Sequence, residues 1–140
     1  MTDGWIDDRY CFACGEKNPI GMHLHFVLTD EGIEAKYAFP KELQGYSGIV
    51  HGGMISLLLD EVMVNLPWLK LKQPVVSADI RIKFIKPLKI GEIVVAKAFI
   101  EKQKKNIFWV KSVLIRERDG VKVAEAEAVC VQVSLEQMNA

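Results

Sequence analysis

From Met54 to Leu66 the only polar side chains are Ser56, Asp60, Glu61 and Asn65, so apolar groups cover almost the whole circumference of one helix-length run. Such a run is buried on most sides wherever it folds. It is too short, and too interrupted by carboxylates, for the roughly twenty apolar residues that a bilayer span needs. The rest of the chain must therefore supply a surface that can wrap one helix.

The patterning says what that surface is. Val76, Ala78, Ile80, Ile82 and Phe84 alternate with Ser77, Asp79, Arg81 and Lys83, the period-two signature of a half-buried strand with its polar set facing water. Further strands are predicted over Glu92–Gln103, Ile107–Glu117 and Val121–Ser134, divided by turn formers at Pro87–Gly91, Lys104–Asn106 and Asp119-Gly120. In the last of these Ala124, Ala126, Ala128 and Cys130 share a face, and a row of small side chains lets a helix axis lie close to a sheet. Ahead of the helix, Met22–Leu28 and Ile33–Phe39 read as a hairpin around Thr29-Asp30-Glu31-Gly32. Pro40 closes its second strand, and Pro67 is expected to stop or kink the helix. The result is an α+β chain in which about six antiparallel strands wrap one central helix. The expectation is one domain over residues 1–140, with 1–20 as a segment preceding the first strand.

Bulk charge narrows the partners. Lys+Arg and Asp+Glu balance at 18 each, so neither nucleic acid nor an anionic membrane is expected to bind through global charge. Residues 1–8 hold no basic stretch followed by an apolar one, and three cysteines make no disulfide framework. A protein without an export signal, in the reducing cytoplasm, is expected.

The N-terminal segment carries Cys11-Phe12-Ala13-Cys14-Gly15, then Asn18-Pro19-Ile20-Gly21 and the pair His23 and His25. A CxxC followed by glycine makes a tight turn of the kind used for zinc or a redox dithiol, and the two histidines could complete a Cys2His2 set from one strand face. A structural zinc usually asks for four ligands at knuckle spacing, and there is no second CxxC. The favoured expectation is a buried structural turn with no metal and no cofactor.

On the helix, at about 100° per residue, Gly53, Ser56 and Asp60 fall within about 60° of one another, while Glu61 points about 100° further round. First-turn N–H groups lack intrahelical partners, and Gly52-Gly53 lets a ligand carbonyl come close to them, which makes an oxyanion site. Asp60, on an otherwise apolar helix, is a carboxylate that must be satisfied or used. His51 before the glycines reads more readily as a packed structural imidazole than as a catalytic one, and is given a supporting role.

The order of hairpin, buried helix and four antiparallel strands, with Val50-His51-Gly52-Gly53…Leu59-Asp60 and Phe84-Ile85-Lys86-Pro87-Leu88-Lys89-Ile90-Gly91-Glu92, resembles the hotdog-fold acyl-CoA thioesterase superfamily over residues from about 20 to 134. The CxxCG segment is similar to that of a subset of these proteins. The resemblance implies that the Gly53 amide polarises a thioester carbonyl and that Asp60 is nucleophile or general base. It also implies that His51 helps hold the site and that Ser77 positions the attacking water. Many such enzymes carry Asn or Gln six residues before the histidine; here that position is Gly45, with Gln44 beside it as the substitute.

Gly53 and Asp60 lie about 10 Å apart along one helix at 1.5 Å per residue, so a homodimer or dimer of dimers with sites shared between subunits is expected. Arg81, Lys83 and Lys86, with Lys89 beyond them, are candidates for the phosphates of a CoA substrate. A non-catalytic acyl-CoA binding module is the alternative that Gly45 favours. A hydratase is disfavoured because all three histidines precede the helix.

Overall fold

The computed structural model describes residues 6–139; the reading of an absent export signal falls on residues 1–8, mostly outside them. Strands β1 (Val27–Leu28) and β2 (Ile33–Ala38) precede helix α1 (Gly52–Leu71). Strands β3 (Val75–Phe84), β4 (Ile93–Lys104), β5 (Ile107–Arg116) and β6 (Lys122–Gln132) follow, with a short helix α2 (Leu135–Met138) at the end. They form one six-stranded sheet in the order β1-β2-β4-β5-β6-β3, every pair antiparallel. This is the hotdog arrangement expected from the sequence: one sheet curled around one helix.

Close approach of helix to sheet follows from side-chain size. The face toward α1 carries Ala96 and Ala98 of β4, Ser112 of β5, and Ala124, Ala126, Ala128 and Cys130 of β6, all buried. Register aligns them, Ala98 opposite Ser112 and Ser112 opposite Ala126. Into this trough α1 lowers Ile55, Leu58, Leu59, Val62, Met63 and Leu66, each nearly or fully buried. No residue from Met54 to Leu69 is exposed, as an apolar circumference requires. Burial of apolar surface, at about 25 cal/mol per Å², makes this stripe a stabilising contact of the fold.

Three local expectations need correction. The first strand does not begin at Met22: the Met22 and Leu24 amides donate to the carbonyls of Phe12 and Ala13, and His23 sits at φ 55°. That stretch is stapled to the N-terminal turn, leaving Val27–Leu28 to pair with β2. Pro67 does not end α1, which runs on to Leu71 and closes on Lys72 at φ 56°. An interior proline costs roughly 3 kcal/mol, and here Leu66 and Pro67 are both buried in the core with Leu69 packed against it; burial of that turn outweighs the lost hydrogen bond.

The third correction concerns β3. Its pairing with β6 slips between Ser77 and Asp79, leaving Ala78 as an extra residue. Beyond the slip Ile80, Ile82 and Phe84 stand opposite Ala128, Ala126 and Ala124, on the helix side. Before it Ser77 stands opposite Cys130, also on the helix side. Strict alternation puts Ser77 among the wet residues; one bulge turns it inward.

Candidate functional site

The loop before α1 is built to hold its first turn. The Gly45 amide donates to the Ile49 carbonyl at 2.8 Å, the His51 amide to Leu43 at 3.1 Å, and the Val50 amide to Leu88 at 2.8 Å. The Gln44 Oε1 accepts from the Gly48 N–H at 3.0 Å, so its side chain braces the loop. His51 is the N-cap: its Nδ1 accepts from the Gly53 N–H at 2.8 Å. The amide expected to polarise a carbonyl is thus held by the imidazole of His51, which fixes that ring by geometry. His51 and Gly53 are both solvent-exposed. Beside them opens a cavity of about 220 Å³ lined by Glu42, Leu43, Gln44, His51, Gly53 and Met54.

Two turns along the same side lies Asp60, half-buried between α1 and the bulged end of β3. Its Oδ1 is buried without a hydrogen-bond partner. Burial pushes its pKa above the ordinary carboxylate range, and the Ser77 hydroxyl partly opposes that shift. The hydroxyl is near enough to favour the charged form yet does not satisfy Oδ1. Cys130, across β6 from Ser77, has its thiol pushed up to about 11 by burial and by the Asp60 charge. This buried thiol was not among the residues singled out from sequence; only its place in a row of alanines hinted at it. Ser56, between Gly53 and Asp60, donates to the Gly52 carbonyl at 2.9 Å and is spent within the helix.

The candidate cations divide. Arg81 and Lys83 lie on the sheet face turned away from α1, in register with Glu127 and Glu125, and Arg81 reaches Glu127 at 3.9 Å. They are not brought together with Gly53 or Asp60. Lys86 lies nearer the start of α1, lining a cavity of about 290 Å³ with Gly52, Phe84, Ile85 and Pro87. Lys89 pairs its backbone with Ile49 and donates its amide to Glu92. Gly45 packs against His51, and a Cβ there would meet His51 Cα at 3.4 Å, an ordinary contact.

Glu61 occupies another side of α1. It accepts from the Asn65 side chain at 3.0 Å and from the Cys11 thiol at 3.9 Å. Burial first, then the neighbouring Asp60 charge, raises its pKa to about 7, against the opposing hydrogen bonds of Asn65 and Cys11. His23 is not beside the cysteines' carboxylate partner; its Nε2 lies 2.7 Å from the Asn18 carbonyl.

Among the described residues no helix is long and apolar enough to cross a membrane. The model of the Thioesterase superfamily matches residues 47–123, more than half of the chain. No curated protein sequence matches. Among solved structures, a phenylacetic acid degradation-related putative thioesterase from Ralstonia eutropha JMP134 is 24% identical with a TM-score of 0.71, over 79% of this chain and 85% of that one. Thioesterase superfamily member 2 of zebra fish is 16% identical with a TM-score of 0.77, over 94% and 97%. A hypothetical thioesterase from Streptococcus pneumoniae TIGR4, solved with coenzyme A, is 17% identical with a TM-score of 0.72, over 79% and 86%.

Proposed function

We propose, from the premise that this chain belongs to the Thioesterase superfamily, that it hydrolyses acyl-CoA thioesters at a site built by two copies of the chain. The observation that carries this reading is Asp60, a half-buried carboxylate with one oxygen unpartnered and the Ser77 hydroxyl beside it. An unsatisfied buried acceptor costs roughly 1–3 kcal/mol, and a water held between Asp60 and Ser77 would satisfy it. A base with a raised pKa is suited to taking a proton near neutral pH.

In the proposed reaction that water attacks the thioester carbon while Asp60 accepts its proton. The carbonyl oxygen, becoming negative, takes the Gly53 N–H in place of His51 Nδ1, so the imidazole swings aside to admit it. Collapse expels the CoA thiolate, which takes up the proton held by Asp60, and the carboxylic acid leaves with Asp60 restored as base. Gln44 keeps the entry loop closed through Gly48, and Gly52, without a side chain, leaves room for the acyl group against Phe84. Lys86 is the cation best placed for a CoA phosphate; the bound coenzyme of the Streptococcus pneumoniae neighbour supports that class of ligand.

About 10 Å of helix separates Gly53 from Asp60, so one reacting carbon cannot reach both within one chain. The edge strand β3 offers the means of pairing: Val76, Ile80 and Phe84 remain 40%, 37% and 54% exposed, and its outer backbone groups are open. A two-fold contact there brings the second copy's glycine turn to Asp60. The test is release of free thiol from purified protein across acyl-CoAs of varied length and aromaticity. Turnover of at least one supports the reading. Micromolar binding with no thiol released favours the binding-module alternative, in which the Gly53 amide stays with His51 and Gly45 lacks the amide side chain.

A further inference from the structure

The N-terminal CxxC remains unused by that reaction, and its position in the fold is specific. The chain from Arg9 to Lys17 folds into a tight turn, with the Gly15 amide donating to Cys11 at 2.8 Å and the Lys17 amide to Arg9 at 2.9 Å. Only glycine fits at position 15, where a Cβ would lie 2.4 Å from the Cys11 nitrogen and 2.6 Å from the Arg9 carbonyl oxygen. This turn is pressed onto α1 so that the ligand atoms of Cys11, Cys14 and Glu61 all lie within 4.8 Å of one another. The three are partly buried, and both cysteines are free thiols.

Three groups that each can carry a negative charge meet here, and among the described residues no salt bridge reaches Glu61. Burial raises the Cys14 thiol well above its ordinary value, helped by Cys11, Glu61 and Asp7. A cavity of about 380 Å³ opens beside the cluster, with Asp7, His25 and Asn65 also on its walls.

We propose that Cys11, Cys14 and Glu61 bind one thiophilic divalent cation, zinc by ligand chemistry, with a water from the cavity in the fourth position. Cys sulfur and carboxylate oxygen are both zinc ligands, at about 2.3 Å for sulfur and 2.0–2.2 Å for oxygen. Ligand atoms within 4.8 Å close to tetrahedral spacing by small side-chain rotations. Binding releases the two thiol protons to solvent, and the Glu61 proton wherever that carboxyl is neutral, and leaves the cation with two thiolates and one carboxylate. The metal cross-links the N-terminal turn to the middle of α1, one residue from Asp60, and supplies the positive charge that the cluster lacks. The sequence favoured a structural turn without metal and offered His23 and His25 only as a pair that could complete a set; the proposed third ligand comes instead from the helix, fifty residues from Cys11.

The test does not depend on hydrolysis. The full-length protein, purified and kept under reductant, is assayed for zinc, stripped with a chelator, and titrated with Co²⁺ in the absorption spectrometer. The expected result is about one zinc per chain, thiolate-to-cobalt absorption in the near ultraviolet saturating at one equivalent, and a melting temperature that falls on stripping and recovers with zinc. Glu61→Gln should keep the fold and weaken Co²⁺ binding tenfold or more, and Cys11→Ser with Cys14→Ser should abolish the thiolate band. No zinc together with no thiolate band in the unmodified protein would overturn the proposal. So would a band that survives in the double cysteine variant, and unchanged affinity in Glu61→Gln would remove the third ligand.

Discussion

Two adjacent carboxylates on α1 meet opposite circumstances. Asp60 faces the bulged strand, with Ser77 near it and Oδ1 unpartnered. Glu61, about 100° round the helix, is held by Asn65 and Cys11 beneath the N-terminal turn. Both are made weaker acids by burial, so a raised pKa does not by itself tell a base from a ligand. What separates them is company: a hydroxyl and an open valence on one side, an amide and two thiols on the other.

Replacing each in turn should expose the difference. Asp60→Asn keeps the shape and should lower kcat by a factor of 10² or more while acyl-CoA affinity stays nearly unchanged, because a base acts on the transition state. Glu61→Gln should leave kcat within a few-fold. Steady-state kinetics with a direct binding measurement check both, and the reverse pattern would move the site to the other side of the helix.

Glu61 should show itself in stability instead. Its pKa in the fold, about 7, lies above the unfolded value of 4.5. A neutral Glu61 therefore favours the fold below about pH 4.5, and that contribution is lost as pH rises toward 7 and then stays constant. The metal-free protein should lose stability over that window, by on the order of 3 kcal/mol from this group, and Glu61→Gln should flatten the slope. Denaturant unfolding at several pH values measures it. Groups held lower, such as Asp119 and Glu92, act in the opposite sense and below the window, while Asp60 is raised like Glu61 and coupled to it, so the difference between the two slopes reports Glu61 together with its coupling to Asp60.

Smaller effects belong to the neighbours. Ser77→Ala should cost about tenfold in kcat through a misplaced water. It should also move the acidic limb of the rate profile to higher pH, since the hydroxyl holds the Asp60 pKa down; an unmoved limb would detach Ser77 from Asp60. Gly45→Asn restores the amide that Gln44 replaces, and the space beside His51 admits it. A rise of a few-fold in kcat is expected, and no change would mean that Gln44 already suffices.

The fold was legible where periodicity was strong. The alternation of β4 to β6 and the row of small residues on Ala124, Ala126 and Ala128 specified a sheet close around a helix, and that is what forms. Failures came where tertiary contacts overrode local signals. Met22 and Leu24 answer to the Phe12 and Ala13 carbonyls rather than to a strand partner, and packing carried α1 through Pro67. In the site, helical spacing placed Gly53 and Asp60 on one side. It could not show the bulge at Ala78 that turns Ser77 inward, although the alternation along β3 did put Arg81 and Lys83 on the outer face where they lie. The nearness of Cys11 to Glu61 depends on how the N-terminal turn docks, which no local pattern encodes.

The central claim is that Asp60 of one copy works with Gly53 of another, and complementation tests it directly. Gly53→Pro removes the amide within the first turn of α1, where no intrahelical hydrogen bond is lost, and Asp60→Asn removes the base. Each variant alone should be inactive. Mixed in equal amounts, unfolded and refolded together, they should recover about a quarter of unmodified activity, because half the dimers are mixed and each mixed dimer has one intact site of two. Mixed dimers that form, as shown by differential tagging, yet release no thiol would contradict the shared site.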